Sequence, residues 1–177
     1  MKRLPLISIW LAAGFVIAAW VGSGEFGIGS RNVQAADSFE VDRQQILDLI
    51  SRYSYTWDGK DAEAFSALFQ DNATMSTYSA GTLSSTTRSN KERLARAHER
   101  FQSFTTQAIQ TRHYQTNTIL ERLSDGSIRG ETLFQVVWQY AAEPAPKLVH
   151  SGTYRDLFAK TSSGWKFASR EIHIDHK

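Results

Sequence analysis

The chain has 177 residues, 41% hydrophobic and 12% aromatic, enough for one globular domain with a sizeable core and a tail. It contains no cysteine, which excludes disulfides, thiolate metal sites, cysteine nucleophiles and lipidation at an N-terminal cysteine. Loss of Lys2, Arg3, Arg31 and Glu25 from a total of 20 basic and 18 acidic side chains leaves the remainder formally neutral, so nothing points to nucleic acid, which needs a basic stripe.

Residues 1–35 read as a targeting segment. Lys2 and Arg3 precede uncharged residues 4–21, and Val33-Gln34-Ala35 offers small residues for cleavage. The pattern predicts a signal peptide removed after Ala35; the alternative is a retained signal anchor, because 18 uncharged positions reach the lower limit of a membrane span. Either way residues 36–177 form an exported domain, periplasmic or extracellular, that meets a membrane only if the leader is retained.

Asp42 is placed to cap a helix, with Gln45 reaching back and Val41 meeting Ile46 as a hydrophobic staple. Ile46, Leu49, Ile50, Tyr53 and Trp57 then recur at helical spacing as one apolar stripe. Gly59 can take the left-handed conformation that ends a helix. Asp58, just before it, is unusual, because a carboxylate in a last turn opposes the helix dipole. It is either the turn-former of an Asp-Gly pair or an acid kept for a cavity.

Asp61 caps a second short helix through Phe69, with Phe65, Leu68 and Phe69 inward. Residues 73–82 predict a short strand, and the Ser/Thr-rich residues 84–89 a mobile connection or lid. Ser89-Asn90-Lys91-Glu92 is a capping box opening a third helix to about Thr105. Along it Leu94, Ala97, Phe101 and Phe104 face inward, leaving Glu92, Arg93, Arg96, His98, Glu99 and Arg100 as a solvated side.

From Gln110 the pattern alternates, and four strands fit, at 110–122, 127–141, 147–160 and 164–174. Asp125-Gly126, Pro144-Ala145-Pro146 and Ser162-Ser163-Gly164 supply hairpin turns, giving a continuous antiparallel meander. In the first strand His113, Gln115 and Asn117 share one side, either a solvent face or the polar floor of a cavity. Pairing Lys160 with Lys166 in the last hairpin sets Asp156 opposite Arg170 and Arg155 opposite Glu171, so Asp156 and Arg170 read as a salt bridge. The first hairpin admits two registers: Phe134, Val136 and Trp138, or Leu133, Gln135 and Val137, lie beside Asn117, Gln115 and His113.

Taken in order, these residues resemble a known family. Ile46-Leu47-Asp48-Leu49-Ile50 with Tyr53, Trp57-Asp58-Gly59-Lys60-Asp61, Phe65 and Leu68-Phe69 are similar to the opening of SnoaL-like domains in the nuclear transport factor 2-like superfamily. Arg112-His113 with Asn117, then Gly152-Thr153-Tyr154-Arg155-Asp156, then Gly164-Trp165-Lys166-Phe167 and Arg170 follow the family's later signatures, over about residues 39–175. The resemblance implies an α+β fold, a cone-shaped curved antiparallel sheet wrapped around three N-terminal helices with a cavity inside. Its relatives include scytalone dehydratase, polyketide cyclases and ketosteroid isomerase. It also implies that Asp58 and His113 face the cavity. Where scytalone dehydratase has a second cavity histidine, this chain has Phe134, a departure that removes a second base.

Two functional readings follow. In the first, His113 is a general base held by Asp58, in a cofactor-free lyase or isomerase acting on a small, mostly apolar carbonyl compound by dehydration, isomerisation or cyclisation. Tyr55 or Tyr78 polarises the carbonyl, Asn117 hydrogen-bonds the ligand, and Phe134 and Trp138 line the pocket; Tyr53 suits the core. No metal is expected, since the five histidines form no cluster at a ligand spacing. In the second reading the cavity binds a hydrophobic ligand without turnover, or the domain is an interaction module. Homo-oligomerisation through the outer sheet face, common among the relatives, fits both.

Overall fold

The computed structural model describes residues 30–175. Residues 1–29, most of the expected targeting segment, lie outside that range. Helix α1 (Ser30–Asp58) starts well before Asp42, so Asp42 lies inside the helix and is not its cap. Val41 is exposed, and no staple to the buried Ile46 forms. Ile46, Leu49, Ile50 and Tyr53 are buried as the stripe predicts, each large apolar side chain contributing about 1.5–3 kcal/mol on transfer from water.

Asp42 does something the sequence hides. Its Oδ2 accepts from Arg122 at 2.6 Å, and its Oδ1 accepts from Lys160 Nζ at 2.8 Å and from Trp165 Nε1 at 3.0 Å. Desolvation opposes the charge, but hydrogen bonds from Lys160 and Trp165 and the charges of Lys160 and Arg122 outweigh it and hold the carboxyl below its ordinary value.

Helix α2 (Ala62–Ala67) is capped by Asp61, which accepts the Ala64 N–H at 2.9 Å. Strands β1 (Phe69–Ser79) and β2 (Thr82–Thr87) form a hairpin. The expected mobile connection is therefore an ordered strand over most of its length. Two of its hydroxyls bond across the ladder: Ser84 Oγ donates to the Thr77 carbonyl at 2.9 Å, and the Thr86 hydroxyl meets that of Ser76 at 3.0 Å. Helix α3 (Asn90–Thr106) starts at Ser89, whose side chain accepts the Glu92 N–H, while the Glu92 carboxylate reaches back to the Arg88 N–H.

Strands β3 (Ile109–Arg122), β4 (Ile128–Tyr140), β5 (Lys147–Thr161) and β6 (Gly164–Ile174) fall within a residue or two of the predicted bounds and form the meander. The six strands run in the order β2-β1-β6-β5-β4-β3, and β1 joins β6 in a parallel pair. Helix α1 packs on β3 and β6, and α3 on β1 and β3. Inward residues of the strands, including Ile128, Phe134, Tyr154, Phe158 and Phe167, complete the core with Phe65 and Phe101 from the helices.

Two register details matter for the site. In the first hairpin the pairs start from the turn as Arg122 opposite Ile128 and Ile119 opposite Glu131, the frame of the second predicted register. A bulge between Thr116 and Ile119 then adds a residue to β3, so Phe134 faces Gln115 and Val136 faces His113, a pairing that neither predicted register has: the first set Phe134 against Asn117 and Val136 against Gln115. In the last hairpin Lys166 lies opposite Ala159, not Lys160, but a bulge at Leu157 and Phe158 absorbs the step, and Asp156 still faces Arg170 and Arg155 faces Glu171.

Candidate active site

Helix α1 ends in a paired cap. The Lys60 N–H donates to Trp57 O and the Asp61 N–H to Thr56 O, both at 3.0 Å. The left-handed residue is Lys60, with φ 59°, rather than Gly59. Gln110 donates to the Asp58 carbonyl at 2.9 Å, so the last turn is pinned to β3 and the Asp58 side chain points at that strand.

Both Asp58 oxygens are occupied by β3. Oδ1 accepts from Thr111 Oγ1 at 2.7 Å and meets His113 Nδ1 at 2.7 Å; Oδ2 accepts the His113 backbone N–H at 2.8 Å. Desolvation disfavours the carboxylate, yet the His113 ring bond and charge, Thr111 and the His113 N–H together keep the carboxyl below its ordinary value. An ionised carboxylate only accepts, so the ring proton sits on Nδ1 and Nε2 is left with a free lone pair. The Tyr53 and Trp57 rings stand edge-on to the imidazole, at 6.3 and 6.2 Å.

His113 lines a cavity of about 960 Å³. Tyr53, Trp57 and Phe65 of the helices and Phe134, Val136 and Tyr154 of the sheet form its apolar part, while β2 and α3 bring hydroxyls, arginines and glutamates to its other side. Tyr53 and Tyr154 are the only tyrosines in the lining among the described residues. Burial pushes both phenols up from their ordinary value, so both remain O–H donors at neutral pH. Beneath them the Arg170 guanidinium lies 4.0 and 4.1 Å from the two ring centroids and binds Asp156 through two 2.8 Å bonds, both side chains being fully buried.

The structure brings some expected residues together and separates others. His113, Phe134 and Trp138 line the cavity, Phe134 stacked on Tyr154 and Trp138 edge-on to Phe104, whereas Asp58, expected to face it, is not in the lining and reaches the cavity only through His113. Tyr55 is 81% exposed, because two residues along a helix turn a side chain to the side opposite Tyr53. Tyr78 stacks on His173, with ring centroids 4.6 Å apart, and takes no part in the lining. Asn117 is exposed at the β3 bulge with φ 55°, and beyond it Thr118 turns inward in its place. Gln115 faces inward but donates to Ile50 O and Ser54 Oγ on α1, so it fastens the strand to the helix.

Arg93 is a further correction. Expected on the solvated side of α3, it is fully buried and lines the cavity. A signal was present, since Arg93, Ala97, Phe101 and Phe104 follow one another at helical spacings along the buried stripe. Tyr154 was also missed, although it alternates along β5 with the buried Gly152, Asp156 and Phe158.

This architecture, helices against one six-stranded sheet with a histidine in the cavity between them backed by an aspartate, is the nuclear transport factor 2-like α+β fold. Residues 41–171 match the SnoaL-like domain, and the chain belongs to that family. Among solved structures it is similar to a nuclear transport factor 2-like protein with a cystatin-like fold from Novosphingobium aromaticivorans, with TM-score 0.69 and 20% identity, over 84% of this chain and 92% of that one. It is also similar to ActVI-ORFA from Streptomyces coelicolor, with TM-score 0.66 and 22% identity over 76% and 96% of the two chains. A putative scytalone dehydratase from Novosphingobium aromaticivorans gives TM-score 0.64 and 20% identity over 78% and 87%. At these identities the likeness is one of fold. No match was found among curated proteins.

Proposed function

We propose that the cavity performs acid/base chemistry on a small, mostly apolar carbonyl compound, with His113 as general base and Asp58 as its orienting partner. The observation that supports it is the 2.7 Å contact between His113 Nδ1 and Asp58 Oδ1, which leaves the Nε2 lone pair as the ring's available base. Nε2 takes a proton from the carbon beside the carbonyl, and the Tyr53 or Tyr154 phenol donates to the oxygen on which charge develops. Return of that proton to another carbon is an isomerisation; its loss with a β-hydroxyl as water is a dehydration. No step calls on a metal or cofactor.

Phe134 supports a second reading, binding without turnover, because it places an aromatic wall where a second base would serve dehydration. Incubation with a panel of ketones in deuterium oxide, followed by NMR, separates the two. The enzyme reading expects exchange of protons beside the carbonyl that Asp58→Asn and His113→Gln suppress. Binding without exchange across the panel would leave a carrier.

Two further parts of the proposal concern setting. The domain is exported, following the leader at residues 1–35. It also self-associates through the outer sheet face, where Tyr114 and Leu133 are exposed beside a shallow groove.

A further inference from the structure

The side of the cavity formed by β2 and the start of α3 holds two polar atoms with no partner. Thr87 Oγ1 and Arg93 Nε are both buried, both residues line the cavity, and neither atom makes a hydrogen bond to the described residues. The residues themselves are 4% and 0% exposed. They belong to one neighbourhood: Thr87 pairs with Met75 on β1, and Arg93 donates through its Nη atoms to Ala73 O at 3.1 Å and Gln70 O at 3.0 Å on the same strand.

Arg93 is a buried cation hydrogen-bonded only to neutral groups. Besides the two carbonyls its guanidinium rests on the Phe69 ring at 4.4 Å; no carboxylate among the described residues makes an ion pair with it, and Asp71 on β1 acts on it only through its charge at longer range. Burial lowers its pKa to about 10, so it remains charged at neutral pH. A buried charge without a hydrogen-bonded counterion, beside an unused hydroxyl and an unused N–H, is costly unless something else supplies an acceptor. Other charges on this side of the cavity do not supply it. Glu92 is engaged at the Arg88 N–H, and Glu99 makes no ion pair with Arg93.

We propose that Thr87 Oγ1 and Arg93 Nε form an anion subsite of the cavity, and that the ligand is an apolar small molecule carrying a carboxylate. This deepens the acid/base reading and rests on it for the reacting end. The carboxylate is bound between β2 and α3, at one edge of the sheet, and the carbonyl end lies at His113 on β3, the other edge. The apolar wall of Phe134, Val136 and Ile172 lies along the same cavity. Two donors on one side suit the two oxygens of a carboxylate, and a neutral ligand would leave Arg93 without a directly bonded counterion.

The test uses a matched pair of probes, 2-naphthoate and 2-naphthalenemethanol, titrated calorimetrically into the protein at pH 7. Wild type is expected to bind the carboxylate at least about tenfold more tightly, the scale of one charged hydrogen bond, and Thr87→Val to lose most of that preference while still binding the alcohol. Arg93→Met is expected to abolish it. Should that variant fail to fold, as a melting curve reveals, Thr87→Val decides alone. Equal affinities in wild type would mean that the two donors hold water, and a preference surviving in Thr87→Val would place the anion at Arg96 or Arg100; either overturns the subsite. Asp58→Asn, titrated in parallel, separates this from the proposed chemistry: carboxylate preference retained with no ketone exchange in wild type sinks the base and leaves the subsite. Exchange without preference does the reverse.

Discussion

Asp58 grips one residue twice: its two oxygens take the backbone N–H and the ring nitrogen of His113, at 2.8 and 2.7 Å. The backbone bond fixes where β3 lies against the end of α1, and the ring bond fixes how the imidazole turns. Position and orientation of the proposed base thus depend on one carboxylate that closes a helix.

This relationship predicts which nitrogen carries the proton. Heteronuclear NMR of the neutral ring is expected to report the Nδ1–H form, and Asp58→Asn to shift the population toward Nε2–H. If the base reading holds, exchange activity falls by about 10²–10⁴-fold in His113→Gln. An Nε2–H ring in wild type would remove the base from the cavity.

Asp42 gives a pH dependence. Its carboxyl is held below the ordinary value of 3.8, so its stabilisation is complete above that pH and is lost as the pH falls through the lower folded value. Asp42→Ala is expected to cost about 2 kcal/mol at pH 7, leaving the Trp165 N–H and the Arg122 and Lys160 charges without their acceptor. Urea titrations at several pH values should show the gap from wild type shrinking as the pH drops below about 4. A gap constant down to pH 2 would contradict it.

The Asp156–Arg170 pair is expected to behave as a buried unit. Burial pushes the Asp156 carboxyl up, only partly offset by Arg170. Arg170→Met, which strands that carboxyl, should cost about 3–5 kcal/mol, and adding Asp156→Leu should recover much of it. Denaturant unfolding of the single and double variants reads both. Equal losses in the two would show that the stacking of Arg170 on Tyr53 and Tyr154 matters more than its charge.

Leu133→Glu tests self-association. The side chain is 47% exposed on the outer sheet face, so the monomer should fold and melt as wild type. Light scattering after size exclusion is expected to show a smaller particle than wild type. An unchanged mass would move the interface elsewhere or remove it.

Much of this molecule was legible in its sequence because the signals are local. Alternation and turn residues locate β3 to β6 closely, and Asp61 and Ser89 cap as their side chains suggest. Family likeness directs attention to Asp58 and His113. What was illegible depends on distant partners. Asp42 resembles a helix cap until Arg122, Lys160 and Trp165 arrive from three strands. Asn117 belongs to the cavity side by strict alternation, and a single inserted residue in β3 removes it. The tyrosines are illegible for a related reason: helical spacing places Tyr53 in the core, but in a hollow core a buried phenol also faces the cavity.

The parallel β1–β6 pair has a consequence for how the chain becomes a protein. The β1–β2 hairpin meets the rest of the sheet only through β6, the last strand of the meander, so its long edge has no neighbour until residues near Ile174 are synthesised. Such distant pairings delay folding, and a nascent or truncated chain lacking β6 carries an unpaired edge with a half-built apolar core behind it. The domain therefore commits late, and it remains open to chaperones for as long as that one strand is missing.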